Sequence, residues 1–423
     1  MSDHVLTDPE PIPDPVGITA PSEPAQPVWR KVLVKVGFVY LFSRLCVVVG
    51  AALVAAELKA DENARLANFP HSPWADPQYA DKAIPKSALR PIIDVLTSWD
   101  GLWYLRIVRD GYPTSVRPHV TYFVDDARAA FFPIYPMIVR FADRVLPGGD
   151  TIAALAVNFV LGAIAVYLVG LIARQLFDVR IAERSMVLMA IFPGSFVLSF
   201  AYTEALLIVL AAGCLLCLLR RNWWAAGLLA ALGTATRPNG IALVAACAVA
   251  SILAIRQRRD WTSLVAPLLS PAGFIGFQWW LGHRTGESGV WFRVQREAWR
   301  EGTSYGITAA RRSWSAVLHP LSSPTNTITM ASMVTLVVLL WFLWKKRLPW
   351  PMIAYCAVVI ALMLLPATVT ARPRFLYTAF PLLISAAAWF DSDRRDWWPY
   401  VIAACAAGLV GLTALYGVLG AIP

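Results

Sequence analysis

The chain has 423 residues, of which 58% are hydrophobic and 15% charged, and its formal net charge is +10. Soluble domains carry roughly 25% charged residues, so a chain this apolar cannot close around one soluble core, and its long apolar stretches point to lipid. The excess of basic residues does not mark a nucleic-acid binder, because the arginines are dispersed among apolar runs, where they act as topology determinants.

Residues 1–28 are proline-rich and acidic with almost no apolar periodicity, and read as a disordered tail rather than a signal peptide. A first span then runs from about Val32 to Ala56 as an uncleaved anchor. Further apolar runs lie near 151–173, 185–201, 204–219, 223–236, 240–255, 262–281, 327–344, 350–366, 375–390 and 399–421. The expected architecture over 29–423 is therefore an all-α polytopic bundle of about eleven transmembrane helices. One set of short loops carries Arg174, Arg180, Arg184, Arg220, Arg221, Arg256, Arg258, Arg259, Lys345, Lys346, Arg347, Arg394 and Arg395. The alternate short loops carry only Arg237, Arg372 and Arg374. The positive-inside rule puts the first set, and with it the N-terminus, in the cytoplasm.

That orientation leaves two long loops outside, 57–150 and 282–326. The first is too long for a passive connector and contains amphipathic pieces. After Ser98, Trp103, Ile107 and Val108 share a face away from Arg106, Arg109 and Asp110. After Pro136, Met137, Val139, Phe141 and Val145 alternate with Arg140, Asp143 and Arg144. Such segments lie in the membrane interface or fold into a cap over the bundle. The cysteines Cys46, Cys214, Cys217, Cys247, Cys356 and Cys405 all fall within spans, so no external disulfide framework is expected, and the CxxC spacing of Cys214 and Cys217 reads as packing. His71, His119, His283 and His319 are scattered, and even His119 beside Asp125 and Asp126 makes a poor metal site; no metal is expected.

Chemistry concentrates at the outer surface. Asp100 opens the segment Trp99-Asp100-Gly101-Leu102-Trp103-Tyr104, where a carboxylate serves either as a helix cap or as a proton acceptor. Tyr202-Thr203-Glu204, Arg237-Pro238-Asn239-Gly240 and Ala371-Arg372-Pro373-Arg374 form short external turns. Their arginines either snorkel at span ends or surround one cavity as phosphate ligands. In the second long loop, Trp291, Gln295 and Trp299 suit sugar stacking and hydroxyl hydrogen bonds, and equally an interfacial anchor.

Together these motifs resemble the PIG-V mannosyltransferases. The resemblance rests on Trp99-Asp100-Gly101-x-Trp103-Tyr104 with Gly111-Tyr112, on Phe131-Phe132-Pro133-Ile134-Tyr135-Pro136, on Tyr202-Thr203-Glu204 and on Thr236-Arg237-Pro238-Asn239-Gly240. It continues through Gln295–Trp299 to Arg374 ahead of Phe380-Pro381, covering about residues 35–390. Pro238 stands where the family often has serine before the asparagine. The resemblance implies a GT-C-type glycosyltransferase that moves mannose from a polyprenyl-phosphate donor, with inversion, to a glycolipid or other envelope-linked acceptor. Eukaryotic relatives add the second mannose of the GPI anchor, whereas the short loops and Ala/Arg/Val/Trp-rich composition look like an actinobacterial-type plasma-membrane member. It further implies Asp100 as general base and Arg237, Arg372 and Arg374 on the donor phosphate. Trp99, Trp103, Tyr202, Glu204, Asn239, Gln295 and Trp299 would contact substrate, without a cofactor. The rival class is a transporter or flippase, against which stand the absence of a clear internal repeat and the outward clustering of the candidate groups.

Cysteines placed at Asp126 and at Arg258 in a cysteine-free background test the orientation. A membrane-impermeant thiol reagent applied to intact cells should label the first and spare the second; equal labelling would reverse the reading.

Overall fold

The computed structural model describes residues 26–68, 89–122, 124–320, 322–368, 370–393 and 396–417. The tail expected over 1–28, apart from its last residues, lies outside these, as do His71, Arg394 and Arg395. The fold is helical throughout, and among the described residues the one β feature is an isolated bridge between Thr303 and Pro366. In chain order the helices are α1 (Gln26–Asn68), α2 (Leu89–Leu96), α3 (Asp100–Asp110), α4 (Ile134–Asp143), α5 (Gly149–Leu176) and α6 (Val179–Ile191). Next come α7 (Glu204–Leu219), α8 (Trp223–Thr234), α9 (Ile241–Arg258), α10 (Val265–Leu269), α11 (Ala272–Thr285) and α12 (Val290–Ala298). The last six are α13 (Ile307–Leu318), α14 (Pro324–Lys345), α15 (Trp350–Leu364), α16 (Pro373–Thr378), α17 (Pro381–Ser392) and α18 (Trp398–Gly417).

Six stretches are long and apolar enough to cross a membrane: Val28–Glu57, Gly149–Leu176, Pro238–Arg258, Trp261–Thr285, Pro324–Lys345 and Trp398–Gly417. Three more apolar helices, α7, α8 and α15, are shorter. Large apolar side chains such as Phe38, Leu45, Leu268, Val337 and Val338 are exposed on the outside of the bundle, as in a protein whose solvent there is hydrocarbon. The chain is a multi-pass integral membrane protein.

Three expected spans are interrupted, each at a proline. The run near 185–201 stops at Ile191, and Pro193–Leu198 continues as a 3-10 turn. The run near 262–281 is broken at Ser270–Pro271, and that near 375–390 is split between α16 and α17 at Pro381. A proline lacks the N–H that a helix interior requires and its ring crowds the preceding turn. Arg44, buried within α1, repairs the first of these breaks. Its guanidinium donates to the carbonyls of Ser195 at 2.8 Å and Ala190 at 2.9 Å, and to the hydroxyls of Ser195 and Ser199 at 3.0 Å each. Carbonyls released inside a bilayer have no water to accept from, so a buried arginine serves in its place.

The described part of the first long loop folds over one end of the bundle. Trp103, Ile107 and Val108 of α3 are buried while Arg106, Arg109 and Asp110 are exposed. In α4, Tyr135 and Val139 face inward, whereas Met137 and Phe141 point out, as does Val145 just beyond it. Between these helices the backbone has no ladder to satisfy it. Arginines do so instead: Arg140 donates to the carbonyls of Ile107 and Val108, Arg128 to Gly111, Arg284 to Tyr112, and Arg293 to Val116 and Arg117. Asp125 and Asp126, considered with His119 as metal ligands, are paired with Arg106 and Arg117 respectively. Arg293 also bridges Glu287 and Glu297, and its hydrogen bonds hold the Glu287 carboxyl below the usual carboxylate range. The six cysteines are all free thiols, and Cys214 lies 3.8 Å from Cys247 rather than pairing with Cys217.

α11 packs closely on α8 through Gly273, where a Cβ would lie 1.9 Å from the carbonyl oxygen of Ala231; at Gly276, one turn on, a Cβ would meet nothing within 4 Å. Gly273→Ala should therefore cost about 1–3 kcal/mol and lower the melting temperature of the purified protein, while Gly276→Ala should leave it close to wild type. Equal effects would mean that the α8–α11 contact is looser than described.

Candidate active site

Asp100 is the first residue of α3, but it does not cap the helix through its side chain. Trp99 holds the N-cap position, with φ 58° and no side-chain capping bond. A bulky residue at positive φ is strained. The strain is held by the surroundings: Trp99 donates its indole N–H to the Tyr416 carbonyl of α18 at 3.3 Å, and Ala201 donates its N–H to Leu96 at 2.9 Å. Gly101 then leaves only ordinary contact room against Ala201, a Cβ there lying 3.4 Å from that of Ala201.

The Asp100 carboxylate is free to look across the bundle, where Arg374 of α16 meets it at 2.6 Å. Arg374 also lies 3.8 Å from Glu204, and Glu204 receives Arg237 at 2.7 Å. Four charges from four segments thus form one chain: Asp100, Arg374, Glu204, Arg237. Glu204, at the start of α7, has no exposed side-chain surface, and its neighbour Thr203 accepts from Arg237 at 3.0 Å and pairs with the Tyr104 hydroxyl at 3.1 Å. Arg237 emerges from a turn that only glycine can close, since a Cβ on Gly240 would lie 2.3 Å from the carbonyl oxygen of Gly233. Phe375 lies against both guanidinia, 4.8 Å from Arg374 and 5.5 Å from Arg237.

A cavity of about 210 Å³ opens beside this chain. Of the residues singled out in the sequence, Asp100, Arg237, Asn239, Gln295, Trp299 and Arg374 line it. Trp99, Trp103, Tyr202, Glu204 and Arg372 do not; they stand behind the wall. Trp103 is locked in an aromatic cluster, stacked on Phe131 and edge-on to Tyr122 and Trp299. Tyr202 lies beneath Arg374 with its ring centre 5.6 Å from the guanidinium. Arg372 is 1% exposed, and its Nε and Nη1 have no hydrogen-bond partner.

The wall also includes residues that sequence reasoning passed over. Glu301 lines the cavity and ties its own loop to the turn after α15, accepting from the Ala367 N–H at 3.1 Å and from the Thr368 hydroxyl at 2.6 Å. Only its place two residues past Trp299 hinted at it. Tyr104 and Phe375 were within reach of the quoted motifs but carried no chemical signal of their own.

Apolar helices that gather carboxylates, arginines, two amides and an indole around one cavity at one end of the bundle form a candidate active site rather than an inert scaffold. Residues 33–260 match the family described as mannosyltransferase (PIG-V), more than half of the chain, and the protein belongs to that family. That family is described as one of transferases, not of transporters. Among solved structures the chain is similar to ArnT from Cupriavidus metallidurans bound to undecaprenyl phosphate, at 14% identity and a TM-score of 0.49, covering 71% of this chain and 56% of that one. It is also similar to the apo oligosaccharyltransferase of Archaeoglobus fulgidus, at 16% identity and a TM-score of 0.44, covering 88% of this chain and 56% of that one. The chain thus spans little more than half the length of either. No curated protein matches it.

The buried carboxylate of Glu204 is the partner of Arg237 and lies 3.8 Å from Arg374, so removing it strands Arg237 and leaves Arg374 with Asp100 alone. Glu204→Ala should cost about 3–5 kcal/mol of stability, read as a large fall in melting temperature, against a small one for Asp100→Asn. A melting temperature for Glu204→Ala near wild type would show that the arginines do not depend on it.

Proposed function

We propose that the protein transfers a mannosyl residue from polyprenyl-phosphate-mannose to a glycolipid or other lipid- or envelope-linked acceptor, on the extracytoplasmic face and with inversion. The observation that carries this reading is the Asp100 carboxylate on the wall of a cavity that Arg237, Asn239, Gln295 and Trp299 also line. Asp100 takes the proton of the acceptor hydroxyl as its oxygen bonds to C1 of the donor sugar, and the C1–O bond to phosphate breaks with its electron pair leaving on the phosphate. A phosphate leaves as a weak base, so no general acid is required, and arginines stabilise the charge that develops on it. Arg237 and Arg374 are already matched by Glu204 and Asp100. Arg372, buried and off the cavity wall with no carboxylate partner among the described residues, would add positive potential to the anion from a distance rather than touch it. Gln295 and Asn239 offer amides to sugar hydroxyls, and Trp299 a face for the ring.

An apolar groove of about 730 Å³ between α14, α17 and α18 would take the polyprenyl tail; its wall residues Pro373 and Leu376 flank the cavity residues Arg374 and Phe375. This reading assigns 29–423 to one catalytic unit with about eleven crossings, the N-terminus in the cytoplasm and the enzyme in a bacterial plasma membrane, working without metal or cofactor.

Asp100→Asn retains the size and hydrogen bonding of the side chain but removes the proton acceptor. Incorporation from labelled polyprenyl-phosphate-mannose should fall roughly 10²–10⁴-fold with only a small fall in melting temperature, and Asp110→Asn and Asp125→Asn should be far milder. Near-normal turnover by folded Asp100→Asn would remove Asp100 as the base. Loss of all incorporation from this donor by the wild type, with another sugar accepted, would remove mannose.

A further inference from the structure

A second groove, of about 590 Å³, runs between α4 and α11 on the lipid-facing side of the outer end. Its floor and walls are apolar, formed by Pro133, Met137, Gly273, Gly276, Phe277 and Trp280. Arg140 and Arg284 stand at its edge. Each spends Nε and Nη2 on backbone carbonyls, Arg140 on Ile107 and Val108 and Arg284 on Tyr112, and among the described residues neither Nη1 has a hydrogen-bond partner. Among the described residues no carboxylate pairs with either guanidinium, although Arg106, Arg109, Arg117 and Arg293 nearby all have one. Two uncompensated positive charges therefore cap an apolar slot.

The depth of the slot in the membrane identifies its occupant. α11 closes the apolar stretch Trp261–Thr285, and its last turns carry Trp279, Trp280, His283 and Arg284, the belt expected where hydrocarbon gives way to headgroups. Met137, Phe141 and Trp279 are exposed around the rim, at 64%, 67% and 72%. A free phosphate would gain nothing from these apolar surfaces, and a neutral lipid nothing from the arginines.

We propose that this groove is a binding site for an anionic membrane phospholipid, with its phosphate on Arg140 and Arg284 and an acyl chain along Gly273 and Gly276. The site does not rest on the catalytic reading given above. It does touch the same helix: the two arginines hold the carbonyls that end α3, and α3 begins at Asp100. A phosphate on their free Nη1 groups would fix that end of α3 further, so the bound lipid stabilises the helix that presents Asp100.

The test is native mass spectrometry of the full-length protein released from detergent with phosphatidylglycerol or phosphatidylcholine, together with melting temperatures. Wild type should retain phosphatidylglycerol in preference to phosphatidylcholine and gain melting temperature only from the former. Arg284→Gln removes a charge but leaves an amide that can donate to Tyr112, and should lower phosphatidylglycerol retention about fivefold, the effect of one interfacial basic residue. Gly276→Leu fills the slot, touches no arginine and should lower retention at least as much with its lipid-free melting temperature unchanged. If Arg284→Gln does not fold, Gly276→Leu decides alone. Equal retention of the two lipids, wild-type retention by the variants, or one-for-one displacement by polyprenyl phosphate would each overturn the proposal, the last by giving the groove to the donor.

Discussion

The end of the bundle that holds the cavity depends on one buried carboxylate. Glu204 holds Arg237 at 2.7 Å and stands 3.8 Å from Arg374, which in turn holds Asp100. Without Glu204, the buried Arg237 would have no carboxylate and Arg374 would keep only Asp100, at a cost that the helix packing would have to absorb. With it, α3, α7, α16 and the turn after α8 are pinned to a common point, and the cavity beside that point has a fixed electrostatic pattern. The arrangement resembles a strut more than a binding contact, and it explains why a residue expected to touch substrate has no exposed surface.

The loop that carries Asp100 obeys a related constraint. Residues between Val108 and Phe131 form neither a long helix nor a sheet, yet much of this stretch is buried. Buried carbonyls require donors, and arginine supplies several from one side chain. Arg128, Arg140, Arg284 and Arg293 each close a different part of the stretch. Several of the basic residues that raise the net charge of the chain therefore serve as backbone donors rather than as topology signals alone.

Much of this was legible in the sequence because the motifs were local. The buried face of α3 followed from helical spacing, and the turn around Arg237 from Pro238 and Gly240. In and just after α4, by contrast, the residues grouped as one apolar set divide, Val139 facing inward and Met137, Phe141 and Val145 outward. Asp100, Arg237, Asn239, Gln295, Trp299 and Arg374 were identified as separate signals and share one cavity. What could not be read was their pairing. Asp100 and Arg374 are 274 residues apart, and no local pattern states that one carboxylate faces that arginine while Glu204 serves two. For the same reason Glu204, Tyr202 and Trp103 seemed equivalent to the residues in front of them. Span boundaries failed where prolines broke runs of uniform hydropathy, since hydropathy alone does not record where a backbone loses its donors, and Arg44, which repairs one such break, looked like any other basic residue.

The indole bond from Trp99 to the Tyr416 carbonyl links an early segment to α18 near the far end of the sequence. Tyr416 also packs its ring 4.4 Å from Phe196, within the 3-10 turn that follows α6. A ribosome feeding this chain into a bilayer delivers α18 after every other helix described. The strained backbone ahead of Asp100 gains its last support only then, so a nascent chain halted before that helix holds every cavity residue and still lacks the clamp that aims the first of them.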